Sequence, residues 1–179
     1  MKKTIGIILL IILYIFVLKV DVRAASVKPE VEYRTHVQDI GWQEYVTEGK
    51  QAGTTGKNLK VEALNIKLKN SNGINIKYTT YIQGKGWQKT VSNGEQTGTT
   101  GKNLRMEAIK IWLENTSEYS IEYRTHVQDI GWTEWVSDGK ISGNLGDGLK
   151  IEAIEIRIVS KKNNNNISVT YSSHVQDIG

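Results

Sequence analysis

A short motif that contains histidine, glutamine and aspartate is the first candidate for chemistry in this chain. The motif His-x-Gln-Asp begins at residues 36, 126 and 174, and alternation places its His and Gln on the polar face of a predicted strand. A metal site prefers histidine with further ligands in reach, and the corresponding stretch at 81–84 lacks both His and Asp. The motif therefore favours hydrogen bonding or ligand contact, and no metal or cofactor is predicted. The candidate contact residues in this motif are His36, Gln38, Tyr81, Gln83, His126 and Gln128.

The tryptophans divide into two groups by their position in the repeating pattern. Three of the five recur every 45 residues, and each shares its phase with a valine four positions later. Phe16, the one phenylalanine, precedes the repeats, so Trp and Tyr must supply their aromatic core. Burying such a ring removes roughly 150–250 Å² from water. We predict that these three residues form the structural core: Trp42, Trp87 and Trp132.

Other aromatic residues fall on the opposite, outward phase. An exposed tryptophan is hard to explain by folding alone, so such residues are candidates for contact with a ligand or partner. The predicted contact aromatics are Trp135, Trp112 and Tyr45.

Catalysis is not predicted. The absence of cysteine excludes a disulfide framework, a thiolate nucleophile and a cysteine-ligated metal site. Catalysis needs an asymmetric constellation, whereas this sequence repeats the same residues and contains no nucleophile-elbow, zinc-helix or phosphate-loop motif. The glutamates that recur at 62, 107 and 152 are interpreted as acceptors for backbone N–H groups in a β-bulge.

The chain contains three units and part of a fourth. Tyrosine, tryptophan and glycine each recur at a spacing of 45 residues. We place a lead-in at 25–30, repeats at 31–75, 76–120 and 121–168, and a truncated fourth repeat at 169–179. From this partial repeat we predict that the chain is a fragment, the product of a truncated reading frame, or the start of a longer array. Four asparagines at 163–166 read as a loop after the third unit, which suggests that three units form a closed module.

Residues 1–24 have the layout of a secretory signal peptide. Two lysines precede an apolar run at 5–18, which is shorter than the roughly 18–20 residues needed to cross a bilayer. We predict export with cleavage after Ala24, and an uncleaved signal anchor is the alternative. The segment holds four of the 23 basic residues and one of the 19 acidic residues, so the net charge falls from +4 to about +1. No basic cluster remains that could bind nucleic acid.

Within each unit the period of two predicts about four short strands. A change of phase beside each recurring glutamate predicts a β-bulge. The dipeptides at 48–49, 93–94 and 138–139 indicate hairpin turns. Because one small sheet cannot bury a face alone, we predict an all-β, pseudo-threefold, β-prism-like module. A β-trefoil and an open array of β-units are the alternatives.

The repeat resembles a known family. Its consensus runs Tyr-x-x-His-Val-Gln-x-x-Gly-Trp, then Val-x-x-Gly, then Gly-Thr-Thr-Gly-Lys-Asn-Leu, then Glu-Ala-Ile-x-Ile. This pattern is similar to the ChW repeats, the clostridial hydrophobic repeats with a recurring tryptophan. The second unit departs from it with Tyr81 in place of histidine, and the third with Asn144-Leu145 in place of Thr-Thr.

The resemblance implies a secreted or surface protein of a Gram-positive bacterium. It also implies a non-catalytic module that binds substrates or other proteins. We therefore expect protein–protein contacts or adhesion at the cell surface, with binding of a cell-wall or environmental polysaccharide as the alternative. Contact with the membrane is expected only through an uncleaved leader.

Overall fold

The computed structural model describes residues 27–161, and all their regular elements except a terminal 3₁₀ residue are β-strands. The predicted leader and the predicted fourth repeat lie outside these residues. No helix within this range is long and apolar enough to cross a membrane. The strands are β1 Glu30–Val37, β2 Gly41–Trp42, β3 Val46–Thr47, β4 Ala52–Gly53, β5 Val61–Lys69, β6 Asn75–Ile82, β7 Gly86–Trp87, β8 Val91–Ser92, β9 Gln96–Gly98, β10 Met106–Glu114, β11 Tyr119–Val127, β12 Gly131–Trp132, β13 Val136–Ser137, β14 Ser142–Gly143 and β15 Ile151–Ser160.

Two long antiparallel strands form the centre of each unit. They are β1 with β5, β6 with β10, and β11 with β15. Their apolar residues alternate with polar ones, so that one face packs inward and the other lies outward. The predicted all-β class is confirmed.

A β-bulge interrupts each long pair at the recurring glutamate. In the first unit His36 pairs with Ala63 and Val37 pairs with Val61, so Glu62 is the extra residue. The second and third units skip Glu107 and Glu152 in the same way. The predicted bulge is therefore confirmed in all three units.

The predicted short hairpins are wrong. The strands on either side of the turn at 48–49 belong to different sheets, because β3 pairs with β1 whereas β4 pairs with β15. The turns at 93–94 and 138–139 likewise separate strands that join different sheets. A glycine-containing turn reverses the chain at each of these positions. The strands on either side of it form their backbone hydrogen bonds with strands of different sheets and not with each other.

Each sheet is completed by a strand from another unit. Strand β9 of the second unit pairs with β5, and β14 of the third unit pairs with β10. Strand β4 of the first unit pairs with β15 of the third, which closes a ring. The three five-stranded sheets form the predicted β-prism-like module, and the open array is wrong because the first and last units are joined. A trefoil would instead form one shared barrel with a hairpin cap.

Glycine permits the close approach between neighbouring units. Gly98 has φ +92°, and a Cβ there would lie 2.5 Å from the Glu62 carbonyl oxygen. Gly53 and Gly143 meet Glu152 and Glu107 in the same way, at 2.4 and 2.3 Å. The first glycine of each Gly-x-x-Gly loop is therefore required by the contact between units.

Tyrosines, not tryptophans, anchor the core. Tyr33, Tyr78 and Tyr123 are fully buried among the inward-facing aliphatic side chains of all three sheets. Each hydroxyl accepts a hydrogen bond from a backbone N–H of another unit, with donors Ile156, Ile66 and Ile111. Burial is the main cause that raises the pKa of Tyr78 and of Tyr123 to about 12, and it raises that of Tyr33 further.

The prediction that Trp42, Trp87 and Trp132 form the core is wrong, because all three are partly exposed. The physical reason is the register of the short strands. Trp42 pairs directly with His36, and directly opposed residues share one face of a sheet. Since His36 faces outward, Trp42 does as well, and the same holds for Trp87 and Trp132.

Candidate functional site

The outward faces of the sheets carry the candidate site. In β1, Tyr33 and Thr35 are fully buried, whereas Arg34 and His36 are partly exposed on the opposite face. The short strand β2 adds Trp42 to this outward face, and the segment before β3 adds Tyr45. Strand alternation thus gathers aromatic and cationic side chains in one place.

Arginine lies between two aromatic rings on the first sheet. The guanidinium carbon of Arg34 lies 4.8 Å from the centre of the Trp42 ring and 4.6 Å from that of the Tyr45 ring. The ammonium of Lys67 lies 4.0 Å from the Tyr45 ring. We call Trp42, Arg34, Tyr45 and Lys67 the first ladder. Each cation–π contact stabilises such an arrangement by about 0.5–2 kcal/mol, depending on its desolvation.

A second ladder occupies the sheet of the third unit and consists of Trp132, Arg124, Trp135 and Arg157. Arg124 lies 4.8 Å from the Trp132 ring and 4.9 Å from the Trp135 ring. Arg157 lies 4.0 Å from the Trp135 ring. The residues at each step correspond to those of the first ladder, so the arrangement recurs.

The two ladders differ in their carboxylates. In the second ladder, Arg124 donates through Nε to Glu155 at 2.7 Å, and Arg157 does so to Glu122 at 2.8 Å. In the first ladder the position of Glu155 is held by Asn65, which accepts a hydrogen bond from the Tyr45 hydroxyl. Arginine in the first ladder therefore lacks the carboxylate that the second provides.

Charge on the first sheet is otherwise paired. Glu32 forms ion pairs with both Lys67 and Lys69. The hydrogen bond from Lys69 is the main cause that lowers the pKa of Glu32, and the same contact raises the pKa of Lys69. The Glu32 carboxylate thus pairs with lysines and forms no ion pair with Arg34.

The second unit has no ladder, because Thr79 and Thr90 stand where the other units have arginine and the second aromatic. A single contact remains, in which the ammonium of Lys110 lies 4.5 Å from the Trp87 ring. Trp112 occupies the position of Lys67 and pairs with Lys77 across β6 and β10. Trp112 is therefore partly exposed on the outward face, as predicted, but apart from the two ladders.

Each recurring tryptophan also meets a second ring edge to face. His36 and Trp42 have ring centres 5.6 Å apart with planes at 82°, and His126 and Trp132 have centres 5.4 Å apart at 83°. Tyr81 takes the same position against Trp87, at 5.6 Å. This explains why tyrosine substitutes for histidine in the second unit, since either ring packs against the indole.

The recurring glutamates lie at the ends of the faces, and in the first unit Glu62 and His36 line a polar cleft there. His36 Nδ1 is 3.2 Å from the buried Glu62 carboxylate, and His126 Nδ1 is 3.2 Å from that of Glu152. In the second unit, Glu107 instead accepts a hydrogen bond from Arg105 at 2.9 Å. The prediction that these carboxylates accept backbone N–H groups is wrong. It is the backbone carbonyl of each glutamate that receives the N–H of the neighbouring unit's loop.

The predicted contact residues are thus divided between two regions. Tyr45 and Trp135 lie in the ladders, and His36 and His126 touch them through tryptophan. The glutamines lie beyond the ladders at the strand ends, where the side chains of Gln38 and Gln128 each donate to the following aspartate. In the second unit, Gly84 stands in place of that aspartate, and the backbone N–H of Gln83 donates to the carbonyl oxygen of Arg105. Among residues 27–161, no group of three His, Cys, Asp or Glu could hold a metal ion.

Sequence reasoning missed the cations of the ladders. A signal was present, because Arg34 and Arg124 occupy outward strand positions two residues before the motif histidines. The other two cations, Lys67 and Arg157, could be assigned only from the register of the paired strands, which places them next to Tyr45 and Trp135.

Comparison with known proteins gives one match. The model of the family described as "Clostridial hydrophobic W", ChW, matches residues 36–70, 81–115 and 126–160. No curated protein and no solved structure matches the chain. The three matched segments recur at the 45-residue spacing, together span more than half of the chain, and each contains the recurring tryptophan. The chain therefore belongs to the ChW family.

Proposed function

We propose that this chain is a non-catalytic module that binds other proteins through its two ladders and acts outside the cell or at its surface. The observation that carries the proposal is the arginine held between two aromatic rings on two of the three sheets. Trp, Tyr and Arg are the residue types enriched at the energetic centres of protein interfaces. The ladders present all three in a preorganised arrangement on the outward faces of the sheets.

Preorganisation reduces the entropic cost of binding. An arginine that is already held between two rings loses little side-chain freedom when a partner arrives. The ladders pack outside the core tyrosines, so they are available without unfolding of the module. A location outside the cell rests on the predicted leader.

The cations that already contact the aromatic rings of the ladders favour proteins over polysaccharides as partners. Sugar stacking needs an open aromatic face, whereas Tyr45 and Trp135 each already contact two cations. A carbohydrate would therefore have to displace a cation–π contact before it could stack.

Capture from culture supernatant and cell-wall extract tests the proposal. The immobilised chain is compared with a variant in which both ladder arginines are replaced, R34A/R124A. The matched control is K110A, which removes the Trp87 cation but leaves both ladders intact. We expect specific proteins to be retained by the native chain and by K110A, and to be lost from the double variant while its circular dichroism at the capture temperature remains that of the folded module.

Two results would overturn the proposal. One is the retention of the same proteins by R34A/R124A. The other is binding on a glycan array that depends on Trp132 or Trp135 while no protein is captured.

A further inference from the structure

Arg34 has no acidic partner. Among residues 27–161, no carboxylate lies within ion-pair distance of its guanidinium, and its contacts are the two aromatic rings. Its Nε is buried without a hydrogen-bond partner, whereas the equivalent Nε of Arg124 donates to Glu155. A buried donor of this kind destabilises the fold when it is left unsatisfied. Arg34 is thus held in a position that its own chain does not complete.

Neighbouring groups cannot supply the missing acceptor. Glu32 is bound by Lys67 and Lys69, and Asn65 is occupied by the Tyr45 hydroxyl and by the carbonyl of Gly94. The Arg34 side chain is partly exposed and its Nη groups are not buried, so these outer N–H groups can be reached from the open side of the sheet. The outward positions 30, 32, 34, 67 and 69 carry three cations and two glutamates, which leaves this face with a small excess of positive charge.

The equivalent face of the third unit shows what completes such an arginine. There a glutamate stands opposite Arg124 in the strand pair, at the position that Asn65 holds opposite Arg34. The outward positions 122, 124, 155 and 157 carry two glutamates and two arginines, whereas the corresponding positions 32, 34, 65 and 67 of the first unit carry one glutamate, one asparagine and two cations. The repeat therefore contains one filled and one unfilled version of the same site.

We propose that Arg34, between Trp42 and Tyr45, binds a carboxylate of an acidic segment in a partner protein, and that this is the specific contact of the first ladder. The inference rests on the proposed function. A guanidinium presents its N–H groups in a planar fork that matches a carboxylate, and a charge-assisted pair of this kind is stronger than a neutral hydrogen bond. The flanking rings keep the fork in place and partly exclude water. Glu155 plays the part of the partner's carboxylate in the second ladder.

Titration with hexaglutamate tests the site. The readout is the ¹⁵N–¹H signal of the arginine Nε groups in the intact chain, since a buried N–H exchanges slowly enough to be observed. We expect a saturable shift of the Arg34 signal and no shift of the Arg124 signal. N65E, which supplies the internal carboxylate, should weaken binding about tenfold or more. K57N changes the net charge by the same amount at an exposed lysine and should leave binding unchanged.

The opposite variant keeps the test independent of N65E, which also removes two hydrogen bonds of Asn65. E155N reproduces in the third unit the asparagine of the first, so we expect the Arg124 signal to begin to respond to hexaglutamate. R34K retains the charge without the fork. It has no Nε signal at residue 34, so its affinity is measured by isothermal titration calorimetry and should also fall about tenfold.

Three outcomes would overturn the inference. They are an affinity for hexaglutamate, measured by isothermal titration calorimetry, that neither N65E nor R34K weakens, the absence of any saturable shift of the Arg34 signal in the native chain, and tighter binding of hexagalacturonate, which would assign the carboxylate to a polysaccharide. If hexaglutamate fails but capture still depends on the ladders, the proposed function stands and the carboxylate site falls. If Arg34 responds but capture is independent of the ladders, the site stands and the proposed function falls.

Discussion

The Tyr33 hydroxyl accepts a hydrogen bond of 3.0 Å from the backbone N–H of Ile156, although the two residues are 123 positions apart. The equivalent bonds at Tyr78 and Tyr123 span only 12 positions, because they join consecutive units. Tyr33 performs the same task across the closure between the first and third units. The pairing of β4 with β15 accompanies it. Every unit therefore contacts both others through the same two interactions, which are the hydrogen bond of the buried tyrosine and the pairing of a short strand with the next sheet.

Removing one core hydroxyl should destabilise the whole module. In Y78F the buried N–H of Ile66 loses its contact with the Tyr78 oxygen, and the carbonyls of Ile66 and Glu95 lose a donor. We expect a loss of about 1–3 kcal/mol in the free energy of unfolding, measured by urea denaturation. Y81F is the control, because Tyr81 is partly exposed and contacts Trp87 through its ring. An equal loss in both variants would contradict this account.

Alkaline pH should unfold the module through its core tyrosines. Burial raises the pKa of Tyr78 and Tyr123 to about 12, above the unfolded value near 10. A raised pKa in the folded state means that the stabilisation is complete below pH 10 and is lost as the pH rises toward 12. The ¹³Cζ signals of Tyr78 and Tyr123 should move together with the loss of circular dichroism. Ionisation of either residue near pH 10 in the folded protein would refute the prediction.

The glycines of one loop should differ sharply in their tolerance of alanine. In G98A the new Cβ would meet the Glu62 carbonyl oxygen and the Ala63 Cα, so we expect a loss of at least about 4 kcal/mol. Gly101 also has positive φ but has open space around it. G101A should therefore cost only about 1–2 kcal/mol for the left-handed backbone. Thermal denaturation measures both, and similar melting temperatures would rule out the close approach as the reason for Gly98.

Ring closure should make stability a property of all three units together. G53A places a Cβ at the contact between β4 and β15, at a residue with positive φ. We expect it to lower hydrogen-exchange protection in β6 and β10 of the second unit as much as in β15. In an open array each unit would contact only its neighbours, and the second unit would keep its protection. Unchanged exchange in β10 would therefore show that the ring is not cooperative.

Much of the fold could be predicted from local patterns. The phase change beside Glu62 located the bulge, because a period of two allows only one interpretation of such a slip. The assignment of Trp42 to the core failed for a related reason. Phase was counted from Trp42 to Val46 across a segment that is not a continuous strand, so the two residues need not share a face.

The candidate site was predicted only in part. Outward aromatics such as Tyr45 and Trp135 could be identified from their phase within a unit. Their partners Lys67 and Arg157 come from a strand about 20 residues later, and only register brings them into contact. The missing carboxylate at Arg34 became visible through comparison of two folded units, in which Asn65 and Glu155 occupy the same place.

The sequence by itself determined the repeat, the all-β class, the bulges and the family, because each of these is encoded in the spacing of residues along one chain. The tertiary structure decided which aromatics are buried, which strands complete which sheet, and which arginine lacks a carboxylate. These features depend on contacts between strands that are distant in the sequence. The hydrogen bond between Tyr33 and Ile156, for example, joins residues 123 positions apart. Periodicity specifies the face of a residue, but only packing specifies what that face meets.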